Sequence, residues 1–223
     1  EVDFIICDHH NPAEKIPNAV AILNPKQSDC NYPFKELSGC GVGFKLIQGY
    51  CEKNQIPLKE ITHLLDFLVV SIAADIVSMV DENRVFSFFG LKQINSTPRV
   101  GIKALMASAD RKGKWTISDI VFGIAPRINA AGRLVHGKIA VDLLIEKDLE
   151  KARLIAEKIE KINLERRCID KVITKEALEM IDENKNSTVV FSENWHKGVV
   201  GIAASRLIET HYRPTIVLTE KDG

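Results

Sequence analysis

Short apolar runs bounded by polar clusters alternate along the chain with stretches in which apolar residues recur every three or four positions. That alternation predicts strands interleaved with helices around a mostly parallel sheet. Residues 2–7, Val2-Asp3-Phe4-Ile5-Ile6-Cys7, read as a buried strand, and residues 19–23 as a second strand closed by Asn24-Pro25. A small-residue stretch leads into a helix over 38–53. Residues 61–77 are strongly apolar and predict a buried helix; 83–109 and 118–125 read as helical, with Ser118 as an N-cap. From 148 to 184, Ala152, Ile155, Ile159, Ile162, Ile169, Ile173, Ala177 and Met180 are spaced by three, four or seven among dense lysine and glutamate. A continuous helix of that length runs about 50 Å and makes a natural bridge between domains. Residues 188–192, 198–209 and 215–219 then form one strand, helix, strand unit.

The expected organisation is therefore an α/β fold: a mostly parallel sheet with flanking helices in 1–147, a long connecting helix in 148–185, and the start of a second α/β domain from 186 to 223. Both ends open or close directly on strands, which predicts a piece of a longer protein. The length of 223 residues suits one large domain or two small ones. With 45% hydrophobic and 27% charged residues, the composition excludes disordered, collagen-like and fibrous classes. The longest apolar stretch, 67–77, is about half a bilayer span and contains Asp75, so no membrane segment is expected. Thirty basic residues balance thirty acidic ones. Any site for a polyanion must then be local. Five cysteines, Cys7, Cys30, Cys40, Cys51 and Cys168, form no CxxC pair and read as reduced thiols in a cytoplasm.

The sharpest chemical feature is Asp8-His9-His10 at the end of the first strand. In open α/β sheets ligands gather beyond the carboxyl ends of strands. A carboxylate and two imidazoles suit manganese, iron or zinc. The competing reading is a polar turn with hydrogen-bonded histidines. Asp75 lies inside an apolar run, where a buried carboxylate persists only if neutral, paired or bound to a cation. Its competing reading is a helix-terminal carboxylate capping a neighbour. Together the two acids and two histidines favour a metal site, though a two-metal hydrolase site needs further bridging carboxylates.

Two other segments carry anion-binding chemistry. In Pro126-Arg127-Ile128-Asn129-Ala130-Ala131-Gly132-Arg133, two arginines flank an amide in what reads as a loop, and guanidinium binds phosphate bidentately. A surface loop with solvated arginines is the plainer alternative. Trp195-His196-Lys197-Gly198-Val199-Val200-Gly201-Ile202-Ala203-Ala204-Ser205-Arg206 opens a helix with glycines, where free amides attract anions; close helix-to-sheet packing explains the glycines equally well. Ser38-Gly39-Cys40-Gly41-Val42-Gly43 lacks the dinucleotide spacing and reads as tight packing beside the site.

Taken together, these residues resemble the DHH phosphoesterase superfamily, and within it the RecJ-type single-strand-specific exonucleases. The resemblance rests on Asp8-His9-His10, Ala74-Asp75 followed by Glu82-Asn83-Arg84, the 126–133 segment, and the segment from Trp195 to Leu207. It implies a DHH domain, whose C-terminal part is 1–147, and a DHH-associated domain, beginning at 186, that face each other across a cleft. It implies degradation of single-stranded DNA from the 5′ end in recombination and repair, with Mn2+ or Mg2+ as cofactor. By position, His9 and Asp75 would be metal ligands, and Asp8 and His10 would orient the site or contact the scissile phosphate. Arg127, Asn129, Arg133, His196, Gly198, Gly201, Ser205 and Arg206 would hold phosphates. Single-stranded DNA is the implied partner, with a single-strand-binding protein or a helicase beside it and no membrane. The N-terminal acidic motifs of the family and most of the associated domain lie outside these residues, so the 223 residues alone are expected to be inactive. The rival readings are a related phosphodiesterase acting on short oligoribonucleotides, cyclic dinucleotides or pyrophosphate, and a non-catalytic scaffold binding DNA or a partner.

Overall fold

The computed structural model describes residues 2–109 and 111–220. They divide into two compact units: one of residues up to Pro126 together with Glu146–Ala152, the other of Arg127–Ile145 together with the chain from Arg153 onward.

In the first unit, strand β1 (Ile5–Cys7) pairs in parallel with β2 (Ala21–Leu23), Ile6 opposite Ile22. Parallel strands need a crossover, and residues 8–20 supply it without a helix. Helix α1 (Gly39–Lys53) starts where the Ser38 hydroxyl accepts from the Gly41 N–H. The apolar stretch that follows forms a 3-10 turn (Leu58–Leu64) and then α2 (Leu65–Asp75). Helix α2 is apolar nearly all round, so it becomes the centre of the unit, with Leu68, Val69, Val70, Ile72 and Ala73 buried.

The helical pattern expected over 83–109 breaks in two, α3 (Asp81–Ser96) and α4 (Val100–Ser108), because Pro98 lacks an N–H and pushes Thr97 out of helical geometry. Gly90 lets α3 lie against α2, since a Cβ there would meet the Leu65 carbonyl oxygen at 2.4 Å. The buried carboxylate of α2 is Asp66, fully covered. Arg99 holds it with Nη2 at 2.5 Å and Nε at 2.8 Å and lies over the Phe67 ring.

Two sequence expectations are corrected in the next segment. The N-cap is Thr116, not Ser118: its side chain and that of Asp119 form a reciprocal capping box over α5 (Ile117–Asp119). The 126–133 stretch is not a loop. The chain continues through a widened π turn (Ile120–Ile124) into helix α6 (Ala125–Leu134). Pro126 cannot donate to the preceding turn, and the wide turn accommodates it without ending the helix.

Helix α7 (Lys138–Ile145) leads to α8 (Leu149–Glu179), which ends short of the expected 184. In the second unit β3 (Thr188–Phe191) pairs in parallel with β4 (Thr215–Leu218) through the crossover helix α9 (Val200–Thr210). Its core joins Ile173 and Ala177 of α8 to Val190, Trp195, Val199, Ala203 and Leu207. All five cysteines are free thiols, and among the described residues no helix is long and apolar enough to cross a membrane.

Removing one partner of the Asp66–Arg99 pair strands a charge in the core. Arg99→Met is expected to destabilise the protein by about 3–5 kcal/mol in urea denaturation; a loss below about 1 kcal/mol would show that α2 does not depend on the pair.

Candidate functional site

The carboxyl end of β1 is held by its neighbour: the Asp8 N–H donates to the Leu23 carbonyl at 2.9 Å, and Asn24 Nδ2 donates to the His10 carbonyl at 2.8 Å. Beyond that point the chain turns around one atom. Oδ1 of Asp8 accepts the His9 N–H at 2.7 Å and the His10 N–H at 3.2 Å, and lies 2.7 Å from His10 Nδ1. These contacts, the His10 side chain foremost, hold the Asp8 carboxyl below its ordinary pKa. With Nδ1 of His10 so engaged, its exposed Nε2 is the nitrogen available to solvent or ligand.

The turn aims His9 the other way. Its Nε2 lies 3.8 Å from Oδ2 of Asp75, the last residue of α2. The ring rests beside the N-terminus of α1, where a Cβ on Gly39 would sit 3.5 Å from His9 Cδ2. That is ordinary van der Waals contact, so the tight packing expected of the glycine stretch is not demanded at Gly39.

Asp75 is not buried, as its apolar surroundings suggested, but 38% exposed, because it falls at the helix end rather than in its middle. There the negative end of the helix dipole disfavours a carboxylate and favours a cation beside it. The next residue, Ile76, has φ 52 and ψ 38, a left-handed conformation that a β-branched residue adopts only under strain. Such strain is typical of sites where a side chain must be aimed. Ser71, one turn back, donates to Asp75 Oδ2 at 3.4 Å.

A ring nitrogen and a carboxylate oxygen at this separation suit a shared divalent ion, with both side chains partly open to solvent. Among the described residues no cluster of three or more His, Cys, Asp or Glu could hold a metal. The donors present fit part of a metal centre.

In the second unit the expected phosphate-binding residues are sorted by their partners. Arg127 is largely buried and forms an ion pair through Nε with Glu160 of α8. Asn129 is exposed on α6. Arg133, also exposed, donates from Nη1 to the Gly198 carbonyl at 3.3 Å. Gly198 is required here, since a Cβ would lie 2.3 Å from the Arg133 carbonyl oxygen. His196 Nδ1 accepts the Gly198 N–H at 3.0 Å and so shapes the turn before α9. Gly201 has open space at its Cα, and Ser205 donates back to its carbonyl at 3.2 Å. Arg206 grips Asp170 of α8, with Nε at 3.0 and 3.1 Å and Nη2 at 2.9 Å. The sequence reading passed over Glu160 and Asp170, which sit among many other charges on a long helix, and over Ser71, a common residue in an apolar run.

The two parallel β-units and the Asp-His-His turn define the class of protein. Residues 1–72 match the DHH family, N-terminal domain, and that part of the chain belongs to the family. Its relatives narrow the class further. The chain is 39% identical over 221 residues to the single-stranded-DNA-specific exonuclease RecJ of Bacillus subtilis, covering 97% of this chain and 27% of that protein. It is 35% identical to the RecJ of Escherichia coli, covering 96% of this chain and 40% of that protein. Among solved structures it is similar to RecJ in complex with Mn2+ from Thermus thermophilus, with a TM-score of 0.87 at 28% identity over 98% of this chain and 33% of that one. The chain therefore spans well under half the length of these relatives.

A depressed carboxyl pKa adds stability above the unfolded value and loses it as pH falls through the folded one. Asp8→Asn is therefore expected to lower stability at neutral pH, with parent and variant converging as the pH drops below about 3.8. Thermal denaturation across that range checks this; a gap that persists undiminished into strong acid would contradict it.

Proposed function

We propose that this chain is part of a metal-dependent phosphodiesterase that degrades single-stranded DNA from the 5′ end in the cytoplasm, in recombination and repair. The observation that carries the reading is the approach of His9 Nε2 to Asp75 Oδ2 at 3.8 Å. The likeness to single-stranded-DNA-specific exonucleases over nearly the whole chain supports the substrate class.

In this reading His9 and Asp75 hold a divalent ion, Mn2+ or Mg2+. Such an ion, when bound, lowers the pKa of a water and offsets charge building up on a phosphoryl oxygen. The chain's own residues do the rest. Asp8 fixes the turn that aims His9. His10, tied through Nδ1 to Asp8, keeps Nε2 outward, where it can hold a proton at the reacting phosphate. Arg133 offers the N–H groups that Gly198 does not engage to a backbone phosphate. The neutral net charge is compatible with this, since cations need only line the path of the strand.

Two donors hold one ion weakly, so the 223 residues alone should hydrolyse a 5′-labelled single-stranded oligonucleotide little or not at all in Mn2+; robust degradation would overturn that half of the proposal. Calorimetric titration of Mn2+ should give weak binding that His9→Ala and Asp75→Ala each weaken about tenfold or more. Unchanged affinity in both variants would remove the metal reading.

A further inference from the structure

Two stretches of backbone frame the His9–Asp75 pair. Behind Asp75, residues 76–80 join α2 to α3. This connection is bounded by two left-handed residues, Ile76 at φ 52 and Asp81 at φ 44, neither of them glycine. Ile76, Met79 and Val80 are exposed, so burial does little to hold that conformation. Beside His9, residues 36–38 lead into α1, whose first residue, Gly39, borders the His9 ring. The Asp75 carboxylate is itself weakly supported, since Ser71 reaches it only at 3.4 Å. Its direction must come from the backbone that carries it.

Asn83, in the first turn of α3, joins the two stretches. Its Nδ2 donates to the Ser78 carbonyl at 2.9 Å and to the Glu36 carbonyl at 2.6 Å. Both amide protons are thus committed, one to each stretch. The side chain is fully buried, and its Oδ1 has no hydrogen-bond partner among the described residues. A buried amide oxygen without a partner costs stability. An apolar side chain of similar volume would avoid that cost if the position served packing alone. The turn that carries Asn83 is also fixed: both oxygens of the adjacent Glu82 lie 2.8 Å from the Tyr32 hydroxyl, and one lies 3.1 Å from Lys45 Nζ of α1.

We infer that Asn83 is a positioning residue of the His9–Asp75 pair. Its amide ties the stretch behind Asp75 to the stretch ahead of α1 and so sets the separation between the two side chains. A role in metal binding rests on the reading of His9 and Asp75 as ligands of a divalent ion. The tie rests on the two hydrogen bonds of Asn83.

The test compares the metal-free protein with its Mn2+ complex, at a temperature well below the melting of every variant. In the metal-free protein, Asn83→Leu should shift the NMR signals of the His9 ring and the Asp75 amide. It should also weaken Mn2+ binding, read from the electron paramagnetic resonance of free Mn2+, about tenfold or more. Arg99→Met, which breaks an ion pair at the opposite end of α2 from Asp75, should lose stability yet bind Mn2+ as the parent does. A purely structural role for Asn83 would give that same outcome. If Asn83→Leu does not fold, Asn83→Ser, whose one hydroxyl proton can serve one carbonyl at most, should show both changes. Where His9→Ala loses Mn2+, parent-like affinity in a folded Asn83 variant overturns the inference. Where Mn2+ binds His9→Ala as well as the parent, the metal reading has failed and the metal-free signals decide: an unmoved His9 ring overturns the positioning role as well.

Discussion

Oδ1 of Asp8 gathers two backbone amides and one imidazole within a span of three residues. A turn closed around a single acceptor leaves its side chains little choice of direction. His10 is drawn back onto the carboxylate, and His9 is turned toward the end of α2. The turn itself hangs on the β1–β2 pairing, through the Asp8 N–H to Leu23 and through Asn24 to the His10 carbonyl. Strand register, a side-chain acceptor and a histidine orientation form one chain of causes. At its far end α2 is halted at Ile76 in a strained left-handed conformation. That halt leaves Asp75 at the helix terminus, partly open to solvent, beside the negative end of the helix dipole.

The protein handles carboxylate–guanidinium pairs in two ways. In the first unit Asp66 and Arg99 are matched one to one, and the arginine plane is further covered by Phe67. That pair locks α2 among its neighbours and leaves no charge to offer a ligand. In the second unit the single carboxylate of Asp170 is shared among arginines that outnumber it. Arg127, by contrast, is matched by Glu160 on the same long helix. Helix α8 itself carries eight basic and seven acidic side chains, in a chain whose total charge is zero.

Most elements were legible because their periods are plain. The helix expected from 38, the all-apolar α2, the three-and-four spacing of α8 and the last strand-helix-strand unit come out within a few residues of their expected bounds. The errors share a cause. The arginines flanking Asn129 read as a loop, but a π turn upstream of Pro126 removes the need for its missing N–H, and α6 runs on. Asp75 looked buried because its sequence neighbours are buried. Burial depends on which side of a helix end the residue falls, and the stop at Ile76 is set by backbone conformation rather than composition.

Residue order alone carries the α/β alternation, the Asp-His-His turn after the first strand and the conclusion that anion sites must be local, because period, turn chemistry and charge count are local or additive properties of the chain. Which charges meet is another matter. That His9 approaches Asp75, that Asp66 rather than Asp75 is the buried acid, and that Arg127 and Arg206 face carboxylates of α8 are outcomes of packing. Residues tens of positions apart become neighbours only when helices dock, and a pairing between them leaves no periodic trace in the sequence.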